Sequence, residues 1–162
     1  MIADMSFDAD YHRRFMAVAL ELAAEAAASD EVPVGAVVVC GDEVVGRGAN
    51  RTLDDTDPTA HAEVVALRAA ARELGRARLD GCRLYVTLEP CPMCAGAIVL
   101  ARLDALFFGA HDAKGGATGT LYSITEDRRL NHRVPTIGGL LDDESIALLR
   151  QYFQGKRGQS SD

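Results

Sequence analysis

Apolar positions recur at helical spacing from Tyr11 to Ala28, where Tyr11, Phe15, Val18, Ala19 and Leu22 fall on one stripe and alanine fills much of the rest. The spacing predicts an amphipathic helix packed on a core. From Val34 to Cys40 the pattern becomes a continuous apolar run rich in valine, Gly41-Asp42 supplies a turn, and Glu43 to Gly48 alternates, so a β-hairpin is predicted. Asn50 to Ala60 is polar and contains Pro58, which makes it a loop. His61 to Gly75 reads as a second helix, with Val64, Val65, Leu67 and Ala71 apolar and Gly75 as its C-cap.

Further along, Arg83 to Leu88 reads as a strand, Pro92 to Ala101 as a helix and Asp104 to Gly109 as a strand, an order that implies a right-handed parallel crossover. The segment Ala110 to Thr120 carries Gly115, Gly116 and Gly119 but has neither the spacing of a phosphate-binding loop nor that of a dinucleotide fingerprint. It is read as a functional surface loop. Val134 to Ile137 predicts a short edge strand. Asp142 to Phe153 predicts a closing helix with Ile146, Leu149, Tyr152 and Phe153 facing inward, and the polar tail from Gly155 is expected to fray. No internal repeat or low-complexity segment interrupts this order. The sum is an α/β chain: a three-layer α/β/α sandwich around a mixed sheet of about five strands.

A length of 162 residues suits one domain over the whole chain, with an ordered core of about residues 8–155. Apolar content of 48% with 25% charged residues belongs to a globular protein, and no apolar run approaches the roughly 20 residues that span a bilayer. The acidic start, Met1 to Asp10, lacks the basic and apolar regions of a signal peptide, so a cytoplasmic location with reduced thiols is expected. Four cysteines are too few for a disulfide scaffold, which turns the clustered pair toward metal or catalysis. The net charge of −7 argues against indiscriminate binding to phosphate backbones. Arg13 with Arg14, Arg128 and Arg129 with Arg133, and Lys156 with Arg157 are either local basic patches or solvated surface.

The chemistry concentrates in Pro90-Cys91-Pro92-Met93-Cys94. With Pro92 at the first helical position, Cys91 and Cys94 share one face of the opening turn, and the positive helix end favours their thiolates. His61 and Glu63 lie where the chain enters the preceding helix, the one place where residues two apart can serve one site. His61, Cys91 and Cys94 make three ligands for one zinc and leave the fourth tetrahedral position open to a water that the ion acidifies, with Glu63 beside it as proton carrier. A closed structural site with Cys82 or Cys40 as fourth ligand is the competing arrangement; otherwise both are buried thiols.

His61-Ala62-Glu63 together with Pro90-Cys91-Pro92-Met93-Cys94 matches the signature of zinc-dependent nucleobase deaminases. Over Phe15 to Phe153 the chain further resembles the bacterial tRNA adenosine deaminases. Glu31-Val32-Pro33-Val34-Gly35-Ala36, Asp57-Pro58-Thr59-Ala60, Thr87-Leu88-Glu89, Cys94-Ala95-Gly96-Ala97, Phe108-Gly109-Ala110 with Asp112 and Lys114, and Asn131-His132-Arg133 carry the likeness. The resemblance implies a cytidine deaminase-like fold, one zinc per subunit on His61, Cys91 and Cys94, and Glu63 as proton shuttle. It implies substrate contacts from Asn50, Val34, Ala62 and Asp112, with the 110–120 loop touching the anticodon, and a homodimer acting on the wobble adenosine of tRNA. From the residues alone, Asn50 is also a good turn former, Asp112 and Lys114 a solvated pair, and His132 a ring contacting backbone. A free-base deaminase such as guanine deaminase shares the zinc set. A non-catalytic zinc module binding RNA would have no use for Glu63, and a riboflavin-pathway deaminase would need a longer chain.

Overall fold

The computed structural model describes residues 8–159. Helix α1 (Ala9–Ala28) starts where the Asp8 carboxylate accepts the N–H groups of Asp10 and Tyr11. Its buried stripe is His12, Phe15, Met16, Ala19, Ala23 and Ala26, rotated by about a residue from the expected one, because the His12 ring stacks on Phe107 at 4.2 Å and its Nδ1 lies 2.7 Å from the Tyr85 hydroxyl. Strands β1 (Gly35–Cys40) and β2 (Glu43–Ala49) form the expected hairpin. Helix α2 (Ala62–Leu74) ends at Gly75, which takes the left-handed conformation, φ 67°, that a C-cap glycine adopts without strain. Strand β3 (Cys82–Leu88), helix α3 (Pro92–Leu100) and strand β4 (Ala105–Ala110) make the parallel crossover.

The sheet runs β2-β1-β3-β4-β5, with β1 antiparallel to both neighbours and β3, β4 and β5 parallel. Helices α2 and α3 cover one face over a core of Val38, Leu84, Val86 and Leu106; α1 covers the other, against Val37, Val39, Tyr85 and Phe107. Helix α4 (Asp142–Gln159) joins that second layer, packing against α1 and β4.

Two expectations at the C-terminal end change. Strand β5 is only Thr136–Ile137, since the Val134 N–H bonds to Thr125. Helix α4 runs through Gly155 to Gln159, held to the turn that follows α1 by the Tyr152 hydroxyl donating to the Asp30 carbonyl and by a 2.9 Å Lys156–Asp30 ion pair, with Lys156 and Arg157 complementing the helix C-terminus. Phe153 does not face inward; it is 47% exposed, while Ile146, Leu149 and Tyr152 are half-buried. No helix among the described residues is long and apolar enough to cross a membrane.

Strand direction decides where chemistry can gather. Gly35 lies opposite Ala49, Ala36 opposite Val86, and Leu88 opposite Ala110. The entry to β1 and the exits of β2, β3 and β4 therefore meet at one end of the sheet, where α2 and α3 also begin.

Candidate active site

His61 and Cys91 are the N-caps of α2 and α3, both in extended conformation, and neither side chain caps its own helix. Pro92 opens α3. With their side chains released from capping, His61 Nδ1 lies 3.6 Å from Cys91 Sγ and 3.5 Å from Cys94 Sγ. The three donor atoms lie within 4.8 Å of one another, and no other such His/Cys/Asp/Glu group occurs among the described residues. Cys94 is fully buried; the other two are half-buried.

Two helix N-termini converge here, and proton sharing follows. The hydrogen bond from Cys94, with His61 adding, pulls the Cys91 thiol down to about 4 against desolvation. The same contact with Cys91, reinforced by burial, pushes Cys94 up. His61 is raised by its bond to Cys91. Two soft sulfurs and an imidazole at this spacing are a donor set suited to zinc, and three ligands leave one tetrahedral position for a reactant. Glu63, in the first turn of α2, is 4% exposed, and its burial raises its pKa.

These groups open into a cavity of about 180 Å³. Asn50, Val34, Ala62 and Asp112 all reach it, together with His61, Glu63 and Cys91. Asn50 is fixed by its N–H donating to the Val34 carbonyl, and its loop by the buried Glu31 carboxylate accepting the Leu53 N–H. The Asn50 carboxamide oxygen is buried with no hydrogen-bond partner, an acceptor awaiting a donor. Asp112 accepts the N–H groups of Lys114 and Gly115, so its relation to Lys114 runs through the backbone.

Cys40 and Cys82 are elsewhere. They face each other in the β1–β3 register at the opposite end of the sheet, where burial pushes the Cys82 thiol up to about 12. Neither completes the His61 cluster. His132 makes the backbone contact open to it, Nε2 to the Leu103 carbonyl at 2.8 Å. Val32, Leu88 and Glu89 also line the cavity. The signal for Glu89 was a carboxylate at the exit of an apolar strand, directly before Pro90.

The sequence pattern described as the cytidine and deoxycytidylate deaminase zinc-binding region matches residues 9–110, which contain the whole His61–Glu63–Cys91–Cys94 constellation. The chain belongs to this deaminase family. It is a zinc-binding family, and the three clustered side chains fit that metal. Among the deaminases, the chain is similar to the tRNA-specific adenosine deaminase of Agrobacterium fabrum, 46% identical over 88% of this chain and 94% of that one. A solved structure from work on A-to-I editing by tRNA:A34 deaminases at the wobble position superposes with a TM-score of 0.81 at 45% identity, covering 84% of this chain and 99% of that one. The guanine deaminase of Bacillus subtilis superposes with a TM-score of 0.62 at 35% identity, over 93% and 96% of the two chains.

Proposed function

We propose that the protein, acting as a single deaminase domain, is a zinc-dependent hydrolase that converts adenosine to inosine at the wobble position of tRNA. The observation that carries this reading is the buried Glu63 carboxyl sharing one cavity with His61 and Cys91 of the metal cluster, in a chain 46% identical to a tRNA-specific adenosine deaminase. His61, Cys91 and Cys94 would hold the zinc, which when bound supplies a water acidic enough to ionise near neutral pH. Glu63 takes a proton from the attacking water and delivers it to the departing amino group, so that water and adenosine give inosine and ammonia. The Asn50 carboxamide oxygen accepts a hydrogen bond from the substrate, and Val34 and Ala62 form the apolar wall that excludes bulk water.

A second opening adjoins the cavity. It measures about 980 Å³ and shares Val32, Leu88 and Asp112 with it, while Lys114, Phe153, Lys156 and Arg157 line its outer reach. Basic residues and an exposed aromatic ring in a groove suit a flexible single-stranded loop, with a phosphate beside Lys114 and a base stacked on the ring. This favours an anticodon loop over a free base.

The subunit is proposed to work as a homodimer in the cytoplasm. An apolar hollow between α2 and α3, lined by Val64, Leu67, Ala97 and Leu100, leaves Leu100 77% exposed, and a second copy is the occupant assigned to it.

Purified protein is to be given an anticodon stem-loop carrying wobble adenosine and, separately, guanine, adenine and cytidine, with ammonia release as the readout. Release from the stem-loop is expected. Turnover of guanine alone would overturn the assignment in favour of the free-base reading. Sedimentation equilibrium reads the dimer, and a monomer at micromolar concentration would remove that part.

A further inference from the structure

Glu89 follows β3 and stands two residues before Cys91, yet it does not join the metal cluster. Its side chain is fully buried. Oε1 accepts the Asp112 N–H at 3.1 Å and the Thr120 hydroxyl; Oε2 accepts the Thr118 N–H at 3.2 Å and the Thr120 N–H at 3.0 Å. The exposed His111 ring also approaches, Nδ1 lying 3.5 Å from Oε1. A carboxylate offers about four acceptor directions, and the four hydrogen bonds fill them. It has no acceptor left with which to take a proton from a substrate. Glu89 therefore spends its carboxylate on the protein's own backbone, although it lines the cavity.

The four donors come from both ends of one segment, residues 112–120. Two further features of that segment point the same way. The Ala117 N–H donates to the Pro90 carbonyl at 2.8 Å, and a Cβ on Gly116 would stand 2.4 Å from Glu89 Oε2. Glycine is required at 116 so that backbone can lie directly on the carboxylate. The segment carries Asp112 and Lys114, which line the cavity and the adjoining groove.

We propose that Glu89 is a positioning residue: its carboxylate clamps the 112–120 loop to the turn that bears Cys91, and so sets the wall that receives the RNA strand. The proposal rests on the tRNA reading for the nature of the ligand but not for the clamp itself. Glutamine is the informative replacement because it keeps the shape while turning two acceptor directions into donors, which then confront N–H groups that no longer have a partner.

In the zinc-loaded protein, Glu89→Gln is expected to retain one zinc per chain and to raise KM for the anticodon stem-loop roughly tenfold, with kcat changed less than about threefold. Hydrogen exchange of the Asp112, Thr118 and Thr120 amides is expected to accelerate at least about tenfold, while that of β3 amides stays unchanged. Thr120→Val, an exposed position, removes one donor from the other side and is expected to give the same pattern at about threefold. It keeps the question open to measurement if the glutamine variant fails to fold. Unchanged exchange at the three amides would overturn the clamp. A fall in kcat at constant KM, or loss of zinc, would overturn the positioning role in favour of a part in chemistry or metal binding. If the wild-type protein deaminates guanine and not the stem-loop, the tRNA reading fails, and the exchange measurement still decides the clamp.

Discussion

Gly48 of β2 lies against the first turn of α2 so closely that a Cβ on it would stand 2.2 Å from the Ala62 carbonyl oxygen. Gly46, on the same face two residues earlier, meets Ala66 in the same way at 2.4 Å. Without side chains at these positions, the helix rests on strand backbone, and its first residues, His61 to Glu63, are set at a fixed height above the sheet. Gly48→Ala is expected to destabilise the fold by about 2 kcal/mol through overpacking and to lower zinc content by displacing His61. Urea denaturation and metal analysis check this; an unchanged midpoint would refute the seat.

Glu63→Ala is expected to keep zinc and fold while lowering kcat by roughly 10³-fold or more, since a buried proton carrier is lost and no ligand is. Single-turnover inosine formation with parallel zinc analysis reads both quantities. Retained activity would remove Glu63 from the reaction.

Asn50→Ala is expected to raise KM about tenfold with metal content unchanged, because the substrate donor that satisfied its buried oxygen loses its partner. A normal KM would show that the oxygen is satisfied by something other than substrate.

His12 makes stability depend on pH. Burial, with the charge of Arg83 adding, holds the imidazole below its ordinary value of 6.5. The unfolded chain then takes up a proton that the folded chain resists. The contribution of His12 to stability is complete above about pH 6.5 and is lost as the pH falls through the lower, folded value. The urea midpoint is expected to drop between about pH 7.5 and pH 5, and to drop less in His12→Gln. Parallel profiles for the two proteins would contradict this.

What the sequence makes legible is local. The hairpin, α2, α3 and the crossover follow from periodicity and caps within a dozen residues, and the metal cluster from two short spacings whose side chains have few other uses. His12 is absent from the predicted stripe because its partners, Tyr85 and Phe107, lie across the fold. The end of α4 depended on an ion pair to Asp30, which composition does not reveal, and polarity beyond Gly155 suggested fraying instead. Glu89 escaped for the same reason, since the groups it holds lie 23 to 31 residues downstream in a loop with no repeating pattern. The row of glycines on β2 reads as weak strand sequence until a helix is laid on it.

The meeting of four strand ends at one edge of the sheet separates two kinds of change. His61, Glu63, Cys91 and Cys94 sit at the starts of two helices that pack on the core of the sheet. Asp112 and Lys114 sit on a loop joined to that frame through the Glu89 carboxylate and the Ala117–Pro90 hydrogen bond. A change in this loop falls on the wall of the cavity and its groove, away from the metal cluster. The same scaffold is found both in a guanine deaminase and in tRNA deaminases, and a cluster held by helices beside a wall held by a loop lets the border vary while the frame stays.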